Sequence, residues 1–198
     1  GLSTYISHYC TVYPIALLNE ATSLINVFKT YPRLYIHPDT PITTPWDVNA
    51  NRKAEKLNNH GSVGVGFGKT IERQQNNYTL YYRDLLTPAV FKHKLDAIKK
   101  YYELVHVSNE DVEYFEHAVK EIRKYSSPFN YRFLYTYDTI IFEGSQGVLL
   151  DKDYGFFPHV THGKTTSENA LNIIRNYLPK VEFIEKHYVS RAYQTRHG

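Results

Sequence analysis

Apolar positions along the chain follow a helical period in some stretches and a strand period in others. Residues 14–28, PIALLNEATSLINVF, place Leu17, Leu18, Ala21, Leu24, Ile25 and Phe28 at helical spacing, which predicts an amphipathic helix. Pro14 suits its first turn, where a missing N–H costs little. A short strand is predicted over 33–37, ended by Pro38, and 38–45 is rich in turn formers. From Trp46 to about Asn58 the pattern predicts a polar surface helix. Phe91, Leu95, Ile98, Tyr102 and Val105 form one apolar stripe, and Val112, Phe115, Val119 and Ile122 form another. The short HVSN link between them predicts an antiparallel helical hairpin over about 88–125. Ser108 with Asp111 is a capping-box variant at the start of its second helix. The β-branched and aromatic run TYDTIIFEG (136–144) predicts a buried strand that feeds a long irregular loop. A helix is predicted from about Thr166 to Leu178, with Thr165 capping it and Glu168 three residues on. Tyr188, Ser190, Ala192 and Gln194 alternate along HYVSRAYQTR, which predicts a strand.

Strands alternating with helices predict an α/β fold: a mixed or parallel sheet flanked by helices, with the helical hairpin as an annex. The length, 198 residues, fits a single domain over 1–198. Lys and Arg total 23 against 20 Asp and Glu, a net charge of +3, too balanced for a nucleic-acid-binding arm. No apolar run approaches the roughly 18–20 residues of a membrane span. Neither nucleic acid nor membrane is therefore an expected partner. The one cysteine, Cys10, excludes an internal disulfide and multi-cysteine zinc sites, and it is expected to be small and half-buried. No secretory signal is visible, so a cytoplasmic setting is expected and the sequon Asn77-Tyr78-Thr79 carries no meaning. Met is absent even at position 1, which suggests a piece of a longer chain.

Three segments carry candidate chemistry. The first is HGSVGVGFGKT (60–70). It ends in Gly-Lys-Thr, but a P-loop needs glycine at 63, where Val63 stands, and a buried strand before it, where KLNNH stands. Glycines at 61, 64, 66 and 68 let backbone approach a ligand or form an anion nest; a plain flexible loop has the same composition. The second is 143–147, where Gln146 has the donors and acceptor that read a purine edge, unless Gly144 and Gly147 simply serve a tight turn. The third is 161–166, where Thr161 and Lys164 before a helix suit a phosphate, while Thr165 as an ordinary cap explains the same residues. Asp151 and Asp153 read as turn chemistry rather than a metal site. None of the 10 histidines forms H-x-x-x-H, so no metal site is expected.

The run FEGSQGVLLDKDYGFFPHVTHGKTT (142–166) resembles the adenylosuccinate synthetase family, which carries F-E-G-A-Q-G, L-L-D, D-x-G-x-x-P, V-T and T-T in that order. HGSVGVGFG (60–68) resembles its G-T-T-G-x-G-x-G, RAYQTRHG (191–198) its A-Y-x-T-R-V-G, and VYPIALLNE the stretch before its glycine loop. The resemblance implies an α/β enzyme, commonly a homodimer, that joins aspartate to IMP using GTP and magnesium. The purine O6 is phosphorylated, and the aspartate amine then displaces that phosphate. It further implies that Gln146 contacts the nucleotide near its base and Thr161 binds the IMP phosphate. Ser62, Val63 and Gly64 would hold the phosphate side, and His197 falls where the family has a nucleotide-touching valine.

The chain departs from the family in several places. Val63 lacks the hydroxyl of the family's threonine, with Ser62 beside it. The family's partner-subunit arginine aligns with Asn77, and Arg73, then Arg83, are the nearest replacements. Lys164 stands where asparagine is usual. The family's G-D-E-G-K-G, N-x-G-H and T-T-G-R-R motifs do not occur in the chain. Together these imply a central portion of a divergent synthetase that supplies IMP-binding loops, with no catalytic residue or metal ligand of its own. By itself it is expected to bind neither GTP nor magnesium and to be inactive. A non-catalytic purine-nucleotide-binding module, a ligase for a modified purine nucleotide, and an interaction domain with an exposed apolar stripe on the hairpin are the alternatives.

Overall fold

The computed structural model describes residues 3–58, 63–190 and 192–193. The chain divides into two compact units, one of residues 1–57 with 64–129 and one of 58–63 with 130–198.

The first unit is built on a three-stranded parallel sheet in the order β1 (Ser3–Ile6), β2 (Arg33–Ile36), β3 (Ser126–Pro128). Helix α1 (Pro14–Phe28) connects β1 to β2 with the bounds its periodicity predicts, and Lys29 closes it in a left-handed conformation. Its apolar face is only partly covered: Ala21 is buried, while Leu24, Val27 and Phe28 are exposed. Helix α2 (Pro45–Asn58) was expected on the surface, but Trp46, Asp47, Val48 and Ala50 are buried. Its first turn runs into the core, and only its later residues are polar and open.

Helices α3 (Phe67–Gln75) and α4 (Tyr82–Leu85) lead to α5 (Pro88–Tyr101) and α6 (Asn109–Tyr125). Leu95 and Ile98 of α5 and Phe115, Val119 and Ile122 of α6 join Leu34, Ile36, Ile42 and Leu80 in one hydrophobic core. The two helices are thus core walls rather than an annex, and α6 lies against α1. The exposed apolar stripe required of a hairpin interaction domain is not there. Burying a phenylalanine such as Phe115 is worth a few kcal/mol, so these stripes stabilise the fold directly.

In the second unit, Tyr131–Thr136 forms a 3-10 turn that packs on α7 (Glu168–Tyr177), with the Tyr131 and Tyr177 rings 4.7 Å apart. Residues 136–144, expected as a buried strand, form none: Thr136 ends the 3-10 turn, the rest has no partner strand among the described residues, and Ile141 is 86% exposed. Residues 187–190 and 192–193, expected in a strand, are irregular and mostly exposed; 191 and 194–196 lie outside the described residues. A β-rich composition makes a strand only where a neighbour takes its hydrogen bonds. Among the described residues no helix is long and apolar enough to cross a membrane.

Candidate functional site

In the second unit, local hydrogen bonds draw the glutamine and threonine segments together. Asp151 is the hub. Its carboxylate is fully buried, and it is met by four backbone N–H groups. Oδ1 accepts from Asp153 (2.9 Å) and Tyr154 (3.2 Å), closing the turn that the D-x-D spacing predicts. Oδ2 accepts from Thr165 (2.6 Å) and Thr166 (3.3 Å), fourteen or more residues away along the chain. Burial by itself would raise this carboxyl's pKa, but the four N–H groups outweigh it and hold the group below its ordinary value.

Further bonds join the same two stretches. Thr161 N–H donates to Leu150 O (2.8 Å), Lys152 N–H to Gly163 O (3.2 Å), and the Thr165 hydroxyl to Gly147 O (2.9 Å). Gln146, exposed, and Thr161, half-buried, therefore stand on two stretches that form one wall. Gly155 locks the turn between them. A Cβ there would lie 2.5 Å from Asp151 O and 2.6 Å from Leu149 O, so only glycine fits. Gly144 and Gly147 differ: a Cβ at either meets nothing within 4 Å, and neither has a left-handed φ. The turn reading of these two glycines has no backbone requirement behind it.

Thr165 does not cap α7 as expected, because its hydroxyl donates to Gly147 O. The N-cap is Ser167, and the hydroxyl of Thr166 accepts the Glu168 N–H at 3.4 Å. The Lys164 ammonium sits 2.5 Å from Glu168 Oε1 and 3.8 Å from Asp153 Oδ2. Glu168 raises its pKa, so it is charged and carries its own counter-ions.

In the first unit the glycine loop ends sooner than its composition suggests. Gly66, at φ +86°, is the N-cap of α3, so Gly68, Lys69 and Thr70 are helical. Lys69 pairs with Glu72 at 2.7 Å, and the buried Thr70 hydroxyl bonds Gly66 O and Thr43 Oγ1. These are internal roles, unlike those of a P-loop Lys-Thr. Gly64 is also left-handed, and Val63 is 70% exposed. Ser62 and His197 lie outside the described residues.

Arg73, expected as a nucleotide contact, requires correction. Its side chain is fully buried; Nε and Nη2 grip the Asp47 carboxylate at 2.9 and 3.1 Å, and the remaining donors reach Ile42 O and Tyr78 O. Fully buried, it is closed to a ligand. Arg83, half-exposed beside Asp39, is the alternative. Cys10, expected half-buried, is exposed.

Asp47 is a residue the sequence reading missed. Besides Arg73 it accepts from Thr44 N–H (2.7 Å), the Thr44 hydroxyl (2.8 Å) and the Tyr102 hydroxyl (2.9 Å). Burial, then the Asp47 charge, raises the Tyr102 pKa, so this phenol stays a donor. The Thr-x-x-Asp spacing at 44–47 was the available signal.

Among the described residues no group of three or more His, Cys, Asp or Glu is arranged to hold a metal ion. Asp151, the most deeply buried carboxylate of its unit, has both oxygens occupied by amides. Asp151 is therefore not free to ligate magnesium.

The family model for adenylosuccinate synthetase matches residues 1–198. The chain belongs to the adenylosuccinate synthetase family. It is 29% identical over 211 residues to adenylosuccinate synthetase of Chlorobium chlorochromatii, covering 97% of this chain and 49% of that protein. It is 31% identical over 179 residues to that of Neisseria meningitidis serogroup C, covering 81% and 41%. The chain thus spans about half the length of the curated relatives it matches. A fully ligated adenylosuccinate synthetase from Plasmodium falciparum shares the fold, with a TM-score of 0.68 at 16% identity over 89% of this chain and 43% of that one. Within this chain, the Asp151 hub and Gly155 lie in the run 142–166 that carries the family pattern.

Proposed function

We propose that this chain supplies the IMP-binding part of an adenylosuccinate synthetase, a ligase that joins aspartate to IMP with hydrolysis of GTP and acts as a homodimer. The observation that carries the reading is the clamp in which Asp151 holds the Thr165 and Thr166 amides while the Thr165 hydroxyl holds Gly147, next to Gln146. Gln146, exposed on that wall, offers an amide to the purine edge. Thr161, on the facing stretch, offers a hydroxyl and stands ahead of α7, whose amino end favours negative charge. The open space around Gly144 and Gly147 leaves backbone accessible to a ligand. Ser62, Val63 and Gly64, and beyond them His197, are the further phosphate-side contacts that the family resemblance implies. Arg83 is the residue of this chain suited to reach a ligand in a partner subunit.

The chemistry explains the division of labour. A carbonyl oxygen is a poor leaving group until it is phosphorylated, and in the whole protein GTP with magnesium would supply that phosphoryl group. The residues of this chain bind and orient the acceptor, and the wall of unit two holds base and phosphate at a fixed separation. The family's G-D-E-G-K-G and N-x-G-H motifs do not occur in the chain, so the chain alone is not expected to turn over. Val63, exposed and without a hydroxyl, favours a second reading in which the purine nucleotide is a modified one.

Calorimetric titration of the chain with IMP tests the proposal. Binding is expected, and Gln146→Ala and Thr161→Ala should each weaken it. Loss of a hydroxyl bonded to a charged phosphate costs about 1.5–3 kcal/mol. No heat from the unmodified chain, or undiminished affinity in both variants, would reject the reading.

A further inference from the structure

The Gly64–Gly66 turn is held far more firmly than a linker between two helices requires. Gly66 is bound on both sides. Its N–H donates to Asn51 Oδ1 on α2 at 3.0 Å, and its carbonyl accepts from Thr70 N–H and the Thr70 hydroxyl on α3, both at 2.9 Å. Its φ of +86° is the left-handed region, and a Cβ would sit 3.0 Å from Thr43 Cγ2, 3.0 Å from Val48 N and 3.1 Å from Val48 Cγ2. Gly64, at +74°, has Arg52 Cγ 3.3 Å from the place of a Cβ. Behind the loop, the buried Asp47–Arg73 pair fixes α2 to α3, and the Tyr102 hydroxyl bonds both Asp47 and the Lys69 carbonyl (3.3 Å).

That clamp works whether or not Asn51 is present, because its members are other residues. Asn51 acts on the loop itself: its Oδ1 takes the Gly66 N–H and so sets the direction of the peptide that enters Gly66. A loop ordered before its ligand arrives does not lose that entropy on binding. We propose that Asn51 is the positioning residue of the glycine loop, holding the Gly64–Gly66 turn in one shape for a nucleotide phosphate. The ligand part rests on the function proposed above; the positioning part does not. It also follows that the Gly66 amide is already taken, so phosphate contacts fall on other amides of the loop.

Two measurements on the 198-residue chain test this, using Asn51→Ala, Asn51→Ser and, as the conservative variant that keeps the acceptor, Asn51→Asp. Amide hydrogen exchange is read at Gly66 and, as a control, at Ile98 and Phe115 in the core. Exchange at Gly66 should be slow in the unmodified chain and in Asn51→Asp. It should be about tenfold faster in Asn51→Ala and Asn51→Ser, as loss of one hydrogen bond worth about 1.4 kcal/mol requires, with the core amides unchanged. IMP affinity by calorimetry should fall by a similar factor in Ala and Ser and return in Asp. Fast Gly66 exchange in the unmodified chain, or no difference between it and Asn51→Ala, overturns the inference. Faster exchange with unchanged IMP affinity overturns its ligand part. If the unmodified chain binds no IMP while Gly66 exchange behaves as described, the function proposed above fails and the positioning role stands.

Discussion

Two buried aspartates organise this chain, and each does so by accepting several donors at once. Asp47, fully buried, faces a guanidinium, a phenol, a hydroxyl and an amide. Asp47→Asn keeps the shape but leaves the Arg73 charge uncompensated in the core. It is expected to cost about 3–5 kcal/mol in urea unfolding, the range for breaking a buried pair; a loss under 1 kcal/mol would show that the pair contributes little. A histidine pair supplies a pH dependence. His8 and His37, at the ends of β1 and β2, have rings 5.1 Å apart, and His37 Nδ1 accepts the Asp39 N–H at 3.1 Å, which only an unprotonated nitrogen can do. Burial lowers the pKa of both; His8 and Arg83 lower His37 further, while Asp39 pulls the other way. A histidine with a folded value below its ordinary 6.5 takes its proton more readily when unfolded. Stability from this pair is therefore complete above about 6.5 and declines as pH falls through the lowered folded value. Thermal melts from pH 7.5 to 5 should show that decline, and His37→Asn should flatten it; an equal slope in the variant would remove His37 from the explanation.

Elements made by their own side chains were legible, and elements made by distant neighbours were not. The period of α1 gave its bounds, and the stripes of α5 and α6 named the residues that now fill the core. Ser108 caps α6 as its spacing predicts, its Oγ accepting the Asp111 N–H at 3.1 Å. Ser108→Ala should lower stability by about 0.5–2 kcal/mol, read by chemical denaturation; no change would mean that water replaces the cap without loss. Strands behaved otherwise. β3 is Ser-Ser-Pro, with no strand propensity, yet β2 takes it as a neighbour where α6 delivers it. The β-branched run at 137–144 has high propensity and no partner among the described residues, so it is not a strand. Composition likewise hid the first turn of α2, where charged and hydroxyl residues are buried because they satisfy one another.

At the scale of the molecule, the candidate site was legible as a set of motifs and not as a geometry. The spacing of Gln146 and Thr161 said nothing of what joins them, since the joining residue, Asp151, looked like an ordinary turn aspartate. Arg73 looked available because one sequence cannot reveal that its charge is met by a residue 26 positions earlier. The central claim is that the Asp151 clamp builds a nucleotide-binding wall, and IMP titration of Asp151→Asn measures it most directly. Asparagine cannot accept four N–H groups as the carboxylate does, so the stretches should separate and IMP affinity should fall at least as far as in Thr161→Ala. Asp151→Asn binding IMP as tightly as the unmodified chain would contradict the claim.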